Sequence, residues 1–312
     1  RAAVLGAKEQ PSLLALACAA TSKLRDDVPQ GVSNVAWALA RLSLDGVELI
    51  HAVAAAAAQR LHDFDPQELS NLAWALATLC TEDGTLLHGI TTAARMKITG
   101  FGPQELSNLA WALGTLAVQD QELFRALVPE VAVKQRGFWP RNLSGLPWAF
   151  AKVKADATEL VQALEGEAMA RLKEFSPQDA TNLVWSLAVL RKHDRPLFSA
   201  ATEEALGQLW RDIPQGVANL AWSLAMVRVQ DAGPLKTISE ETIKQLQAFK
   251  PQEMAAVSWA FVTLSAREPQ LFSALAAETV AKIEDFGLQD LSQVSWAFAS
   301  AGEGVEAGLL SA

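Results

Sequence analysis

A column of basic residues carries the plainest chemistry in this sequence. Lys23, Arg60, Lys97, Lys134 and Arg171 stand 37 residues apart, Gln208 and Gln245 continue the spacing, and Lys282 ends it. Cations set at a fixed interval can neutralise successive phosphates of a strand, and a line of them makes an electrostatic track even where the total charge is negative. The column also has a plainer use, because a cation near a helix C-terminus is favoured by the helix dipole by about 0.3–1 kcal/mol. Arg25, Arg136 and Lys173, two residues further along, thicken the same edge.

Three more columns share that period. Gln30, Gln67, Gln104, Gln178, Gln215, Gln252 and Gln289 form one, and Asn34, Asn71, Asn108, Asn182 and Asn219 another. Their uniformity suits packing, with each amide bonded to backbone of the neighbouring copy. It also suits pairing with base edges, which would then require a monotonous target. The third column differs from copy to copy: Arg41, Thr78, Thr115, Lys152, Val189, Met226, Thr263 and Ser300. Base readout needs such variation, and a tolerant surface also shows it. Catalytic chemistry finds little footing. His51 and His88 share a register but have no Cys or carboxylate at metal-ligand spacing. The pairs Glu203-Glu204 and Glu240-Glu241 read as a solvated helix face. The sequence contains no phosphate-loop, dinucleotide or nucleophile-elbow motif, so no enzyme activity, cofactor or metal is predicted.

What must position these columns is a repeat. Trp37, Trp74, Trp111, Trp148, Trp185, Trp222, Trp259 and Trp296 are each 37 residues from the next, without insertion or deletion. Pro29, Pro66, Pro103, Pro140, Pro177, Pro214 and Pro251 keep the same step, with Leu288 at the eighth place. A fixed period of roughly 20–50 residues indicates stacked units. Each unit reads as two helices. The first, helix A, opens at the proline, which suits the first helical position, after caps such as Asp65, Gly102, Ser176 and Gly287. Helices A are predicted near 29–42, 66–79, 103–116, 140–153, 177–190, 214–227, 251–264 and 288–301. On this helix Leu69, Leu72, Leu76 and Leu79 share one face, and Gln67, Asn71, Trp74 and Thr78 share the opposite one. Helix B follows a turn such as Asp45-Gly46 or Asp83-Gly84, and Phe64, Phe101, Phe138, Phe175, Phe249 and Phe286 close it, placed to staple one unit to the next.

The fold class expected is all-α, an α-solenoid of about eight repeats forming one array over residues 1–312. Both ends fall inside a repeat, which predicts a piece of a longer array. The tryptophans are expected to be its buried spine, each hiding about 150–250 Å², or about 4–6 kcal/mol as an upper bound. Copy four departs from the pattern, with Arg141 for the Gln, Gly145 for the Asn, and Pro147 inside helix A, where a kink or shortening is expected.

Composition sets outer limits. The net charge of −9 is natural for a protein that binds proteins and unusual for a binder of phosphates, so distribution matters more than the sum. No apolar run reaches the roughly 18 residues of a membrane span. Cys18 and Cys80 lie at different places in the repeat and suggest neither a disulfide framework nor a metal pair.

The unit Phe-x-Pro-Gln-Glu-Leu-Ser-Asn-Leu-Ala-Trp-Ala-Leu-x-x-Leu at 64–79 and 101–116 resembles the heptatricopeptide and octotricopeptide repeat families. The resemblance covers essentially the whole chain. It implies a solenoid that binds single-stranded RNA in mitochondria or chloroplasts, in RNA processing, stability, translation or ribosomal RNA assembly. It also implies frequent company with a RAP domain, which is not visible in these residues. On this reading Lys23, Arg60, Lys97, Lys134, Arg171 and Lys282 are candidates for the RNA backbone, and the variable column for its bases. Two alternatives stay open: a protein-binding scaffold or ribonucleoprotein component, and a spacer within a larger RAP-type protein. No membrane partner is expected.

Overall fold

The computed structural model describes residues 19, 28–42, 47–211, 213–229 and 231–301. Lys23, Arg25, Cys18, the Asp45-Gly46 turn and both chain ends lie outside them. The described residues contain no strand. Their helices A are α1 (Pro29–Leu42), α3 (Pro66–Thr78), α5 (Pro103–Thr115), α7 (Pro140–Val153), α9 (Pro177–Val189), α11 (Pro214–Met226), α13 (Pro251–Thr263) and α15 (Leu288–Ala301). Helices B are α2 (Val47–Ala58), α4 (Gly84–Met96), α6 (Gln121–Lys134), α8 (Thr158–Arg171), α10 (Pro196–Gln208), α12 (Ala232–Gln245) and α14 (Pro269–Ala281). No helix among the described residues is long and apolar enough to cross a membrane.

The chain divides inside α8, between Glu167 and Ala168, into two compact units. In the first, α1 packs on α3, α3 on α5 and α5 on α7; in the second, α9 packs on α11, α11 on α13 and α13 on α15. Within each unit the hairpins therefore stack A on A, the arrangement of an α-solenoid.

Local chemistry explains the helix boundaries. Asp65 accepts from the Glu68 N–H at 2.8 Å while the Glu68 carboxylate accepts from the Asp65 N–H at 2.8 Å, a reciprocal cap just before Pro66. Ser176 and Asp179 repeat it before Pro177. Each of six helices A ends on a left-handed residue, at Cys80, Ala117, Lys154, Arg191, Arg228 and Ser265, with φ between 51° and 57°. The next N–H returns to a carbonyl inside the last turn, as Thr81 does to Leu76 at 2.9 Å and Val118 to Leu113 at 2.9 Å. None of the six is glycine, although this cap usually selects it.

In α3, Leu69, Ser70, Leu72, Ala73, Ala75, Leu76 and Ala77 are all buried. The leucines face the hairpin core, and small residues let neighbouring helices approach closely. Gly114 in α5 shows how closely: a Cβ there would lie 3.0 Å from the Ala149 Cα and 3.1 Å from the Trp148 ring. The linker phenylalanines Phe64, Phe101, Phe138, Phe175 and Phe249 are almost wholly buried, as the stapling role requires.

Two expectations are corrected. The tryptophans are not the buried spine: Trp37 is 45% and Trp296 50% exposed, and the six between them are half-buried. Leu and Phe already fill the space between helices A and B, so the Trp face of helix A turns outward. Of the kink or shortening expected at Pro147, the shortening does not occur, because α7 runs for 14 residues against 13 for α3 and α5. Its ring is buried, whereas α6 carries Pro129 within the helix on an exposed face.

Candidate functional site

One stripe of each helix A stays open. In α3 it comprises Gln67, Asn71, Trp74 and Thr78, spaced i, i+4, i+7 and i+11, which lines up on a helix of 3.6 residues per turn. Every described member of the Gln column is exposed; Asn34 is exposed, and Asn71, Asn108, Asn182 and Asn219 are half-buried. Among the described residues none of these side-chain amides has a hydrogen-bond partner. The expected bonds to neighbouring backbone are therefore absent from this face. Nearby hydroxyls do find partners, since Ser70 donates to the Gln67 carbonyl at 3.0 Å and Thr78 to the Trp74 carbonyl at 2.8 Å.

Three pairs of tryptophans on adjacent helices A lean on one another along this stripe. Ring centroids are 6.5 Å apart for Trp74 and Trp111, 6.3 Å for Trp185 and Trp222, and 6.5 Å for Trp222 and Trp259, at interplanar angles of 30–33°. Each ring thus covers part of its neighbour and leaves an edge to solvent. The variable column caps the stripe: Arg41, Thr78, Thr115, Lys152, Met226, Thr263 and Ser300 are exposed and Val189 is half-buried. Where this residue is basic it sits over its own tryptophan, with Arg41 at 5.6 Å from the Trp37 ring centre and Lys152 at 5.7 Å from that of Trp148.

The basic column lies elsewhere, at the ends of helices B, and is engaged with the protein itself. Lys97 Nζ donates to the His62 and Phe64 carbonyls, both at 2.6 Å. Lys134 Nζ donates to the Thr99 carbonyl at 2.9 Å and that of Phe101 at 2.8 Å, and Lys282 Nζ to those of Gln247 at 2.7 Å and Phe249 at 2.9 Å. Each lysine so ties its linker to the linker before it. Gln208, at the same position, donates to the Phe175 carbonyl at 3.3 Å, which explains how an amide can stand in the column. Carboxylates neutralise most of these charges: Glu130 pairs with Lys134 at 2.6 Å, Glu278 with Lys282 at 2.8 Å, Asp63 with Arg60 at 3.3 Å and Glu174 with Arg171 at 2.8 Å.

The paired glutamates of helix B are also corrected. Glu203 and Glu240 are solvated, whereas Glu204 is 9% and Glu241 7% exposed. Glu204 pairs with Lys173 at 2.6 Å and accepts from Gln208, and Glu241 accepts from Gln245 at 2.8 Å. Burial pushes the Glu204 carboxyl up, but hydrogen bonds from Lys173 and Gln208 and the Lys173 charge outweigh it and hold the group below the ordinary carboxylate range. Glu204 supports the linker clamp at Gln208, as Glu130 and Glu278 do at Lys134 and Lys282. The signal in the sequence was a glutamate four residues before the column, at 130, 204, 241 and 278.

A family model described as RNA-editing substrate-binding complex 6 protein matches residues 32–269, well over half of the chain. The chain belongs to that family. The match spans both units and takes in six of the eight open stripes whole, with all of the first but Gln30. It supports the general part of the resemblance, helical repeats in an RNA-associated protein, without singling out the heptatricopeptide or octotricopeptide class, a RAP domain, a chloroplast or a ribosome. Comparison with individual curated proteins gives no match.

Proposed function

We propose that the open stripe of the helices A binds single-stranded RNA, and that the chain serves a mitochondrial RNA-editing assembly by holding its RNA. The family description supports the class of partner, and the mitochondrial setting follows from the repeat resemblance. A protein-only scaffold is the competing reading, and the reading favoured here assigns the chain no reaction of its own.

The observation that carries the proposal is the Asn column. Four half-buried amides without a protein partner are retained at a position where Ala256 and Gly145 show that the same fold accepts no amide at all. Packing therefore does not require them, whereas a base edge or a ribose hydroxyl supplies the missing donors and acceptors. The Trp edges beside them offer π surface, worth about 1–3 kcal/mol per stacked base. The constant amides and rings then contact what all nucleotides share, and the variable column, from Arg41 to Ser300, discriminates among bases. The clamp lysines are a poorer track, since a phosphate would have to draw them from their carbonyls.

The test is fluorescence anisotropy with a random single-stranded RNA pool, comparing the full chain with Asn71→Ala/Asn108→Ala. The double variant should keep its stability within about 0.5 kcal/mol and lose roughly tenfold or more in affinity, equivalent to about 1.4 kcal/mol. Intact helical circular dichroism with no RNA binding in the unaltered chain would sink the reading in favour of a protein partner.

A further inference from the structure

We propose that copy four holds one phosphodiester of the bound strand, in a notch over Gly145 beside Arg141. The inference rests on the RNA reading of the open stripe. It concerns α7 alone, where the stripe reads Arg141, Gly145, Trp148 and Lys152 in place of amide, amide, Trp and a variable residue.

No structural demand accounts for Gly145. A Cβ built there meets nothing within 4 Å, whereas one at Gly114 collides with the next helix. The residue is helical, so left-handed backbone does not require it, and glycine in a helix interior is among the least favourable choices. Pro147 does not require it either: α6 runs through Pro129 after Phe124-Arg125-Ala126-Leu127-Val128, with no glycine in the preceding turn. What the missing side chain does provide is open space against the helix backbone, flanked on one side by Arg141 and on the other by the half-buried Trp148.

The charges around that space are available. Arg141 lies one turn before Gly145, about 6 Å along the axis. It is exposed and has no ion pair among the described residues, unlike the paired Arg60 and Arg171. Lys152 rests on the Trp148 ring, and Lys154, just past the helix end, is exposed on a left-handed residue. A planar guanidinium matches a phosphate with two parallel bonds, where the glutamine of other copies offers a neutral amide. A small tetrahedral anion fits a notch that an Asn side chain would fill. One charged seat in a face of neutral amides fixes the position of the strand along its unit.

Gly145→Ala separates this role from a structural one. The full chain, Gly145→Ala, Gly145→Asn and Arg141→Gln are compared for thermal midpoint and for binding a short single-stranded RNA across a salt series, with inorganic phosphate as competitor at matched ionic strength. Gly145→Ala should melt at or above the parent temperature and bind several-fold more weakly. Gly145→Asn should bind as weakly, and Arg141→Gln should lower the log K against log salt slope by about 0.7. Phosphate should compete less well against RNA on Arg141→Gln than on the parent. A lower melting point for Gly145→Ala overturns the proposal, because the glycine is then structural. Undiminished affinity and slope in Gly145→Ala and Arg141→Gln, with Asn71→Ala/Asn108→Ala still defective, overturn the seat and leave the RNA reading standing. A parent chain that binds no RNA overturns both.

Discussion

Removing one ammonium from the basic column distinguishes a phosphate track from a structural clamp. Lys134→Met keeps the apolar stem and deletes the charge that donates to Thr99 and Phe101 at 2.9 and 2.8 Å. A hydrogen bond from a charged donor contributes about 1.5–3 kcal/mol. Lys134 is about one quarter exposed, and partial solvent screening lowers that figure, so two bonds amount to about 2–4 kcal/mol. The loss falls between successive linkers, so it should weaken the coupling of neighbouring hairpins as well as overall stability. Lys134→Gln should lose less than about 1 kcal/mol, since Gln208 already makes the equivalent bond to the Phe175 carbonyl. Urea unfolding followed by circular dichroism measures both, and RNA anisotropy across a salt series measures the alternative. The clamp predicts a large stability loss for Lys134→Met with an unchanged salt slope. A stability loss below about 0.5 kcal/mol together with a slope smaller by about 0.7 would refute the clamp and restore the phosphate track.

Two further outcomes follow from burial and charge. Phe101→Ala should cost about 3–5 kcal/mol in urea unfolding, and Trp111→Ala about 1–3, because the phenylalanine is fully buried and the tryptophan keeps one edge in solvent; the reverse ranking would mean the Trp column is the spine after all. Glu204, whose folded-state pKa is depressed, contributes stability that is complete above the unfolded carboxylate value of about 4.3 and is lost as pH falls through the lower folded value. Glu204→Gln should therefore flatten the acid limb of the stability curve, and an unaltered acid limb would show that the Lys173 and Gln208 contacts do not bias its ionisation.

Periodicity made most of the fold legible. A strict 37-residue step with Pro at the head, Asp65 or Ser176 before it and Phe two residues ahead defines where a helix starts without any tertiary information, because caps and proline act on backbone within one turn. The open stripe was legible as well, since Gln67, Asn71, Trp74 and Thr78 line up by helix geometry alone. Its exposure was not. Trp counts as a core residue by hydrophobicity, and only the packing of α3 on α5 showed that leucine and phenylalanine had filled the core first.

The basic column shows the limit most clearly. Sequence spacing established that Lys97, Lys134 and Lys282 recur in register near helix ends, and a cation in register is compatible with a phosphate or a carbonyl. Their partners lie 33 and 35 residues earlier, in the linker before the hairpin, and only the closing of that hairpin brings them within 3 Å. By itself the sequence determined the repeat, the helices and the faces, which depend on interactions within a turn or two. The tertiary structure decided which polar groups are spent on the protein and which, like Asn71 and Arg141, remain for a ligand, because a hydrogen bond depends on distances that only packing sets.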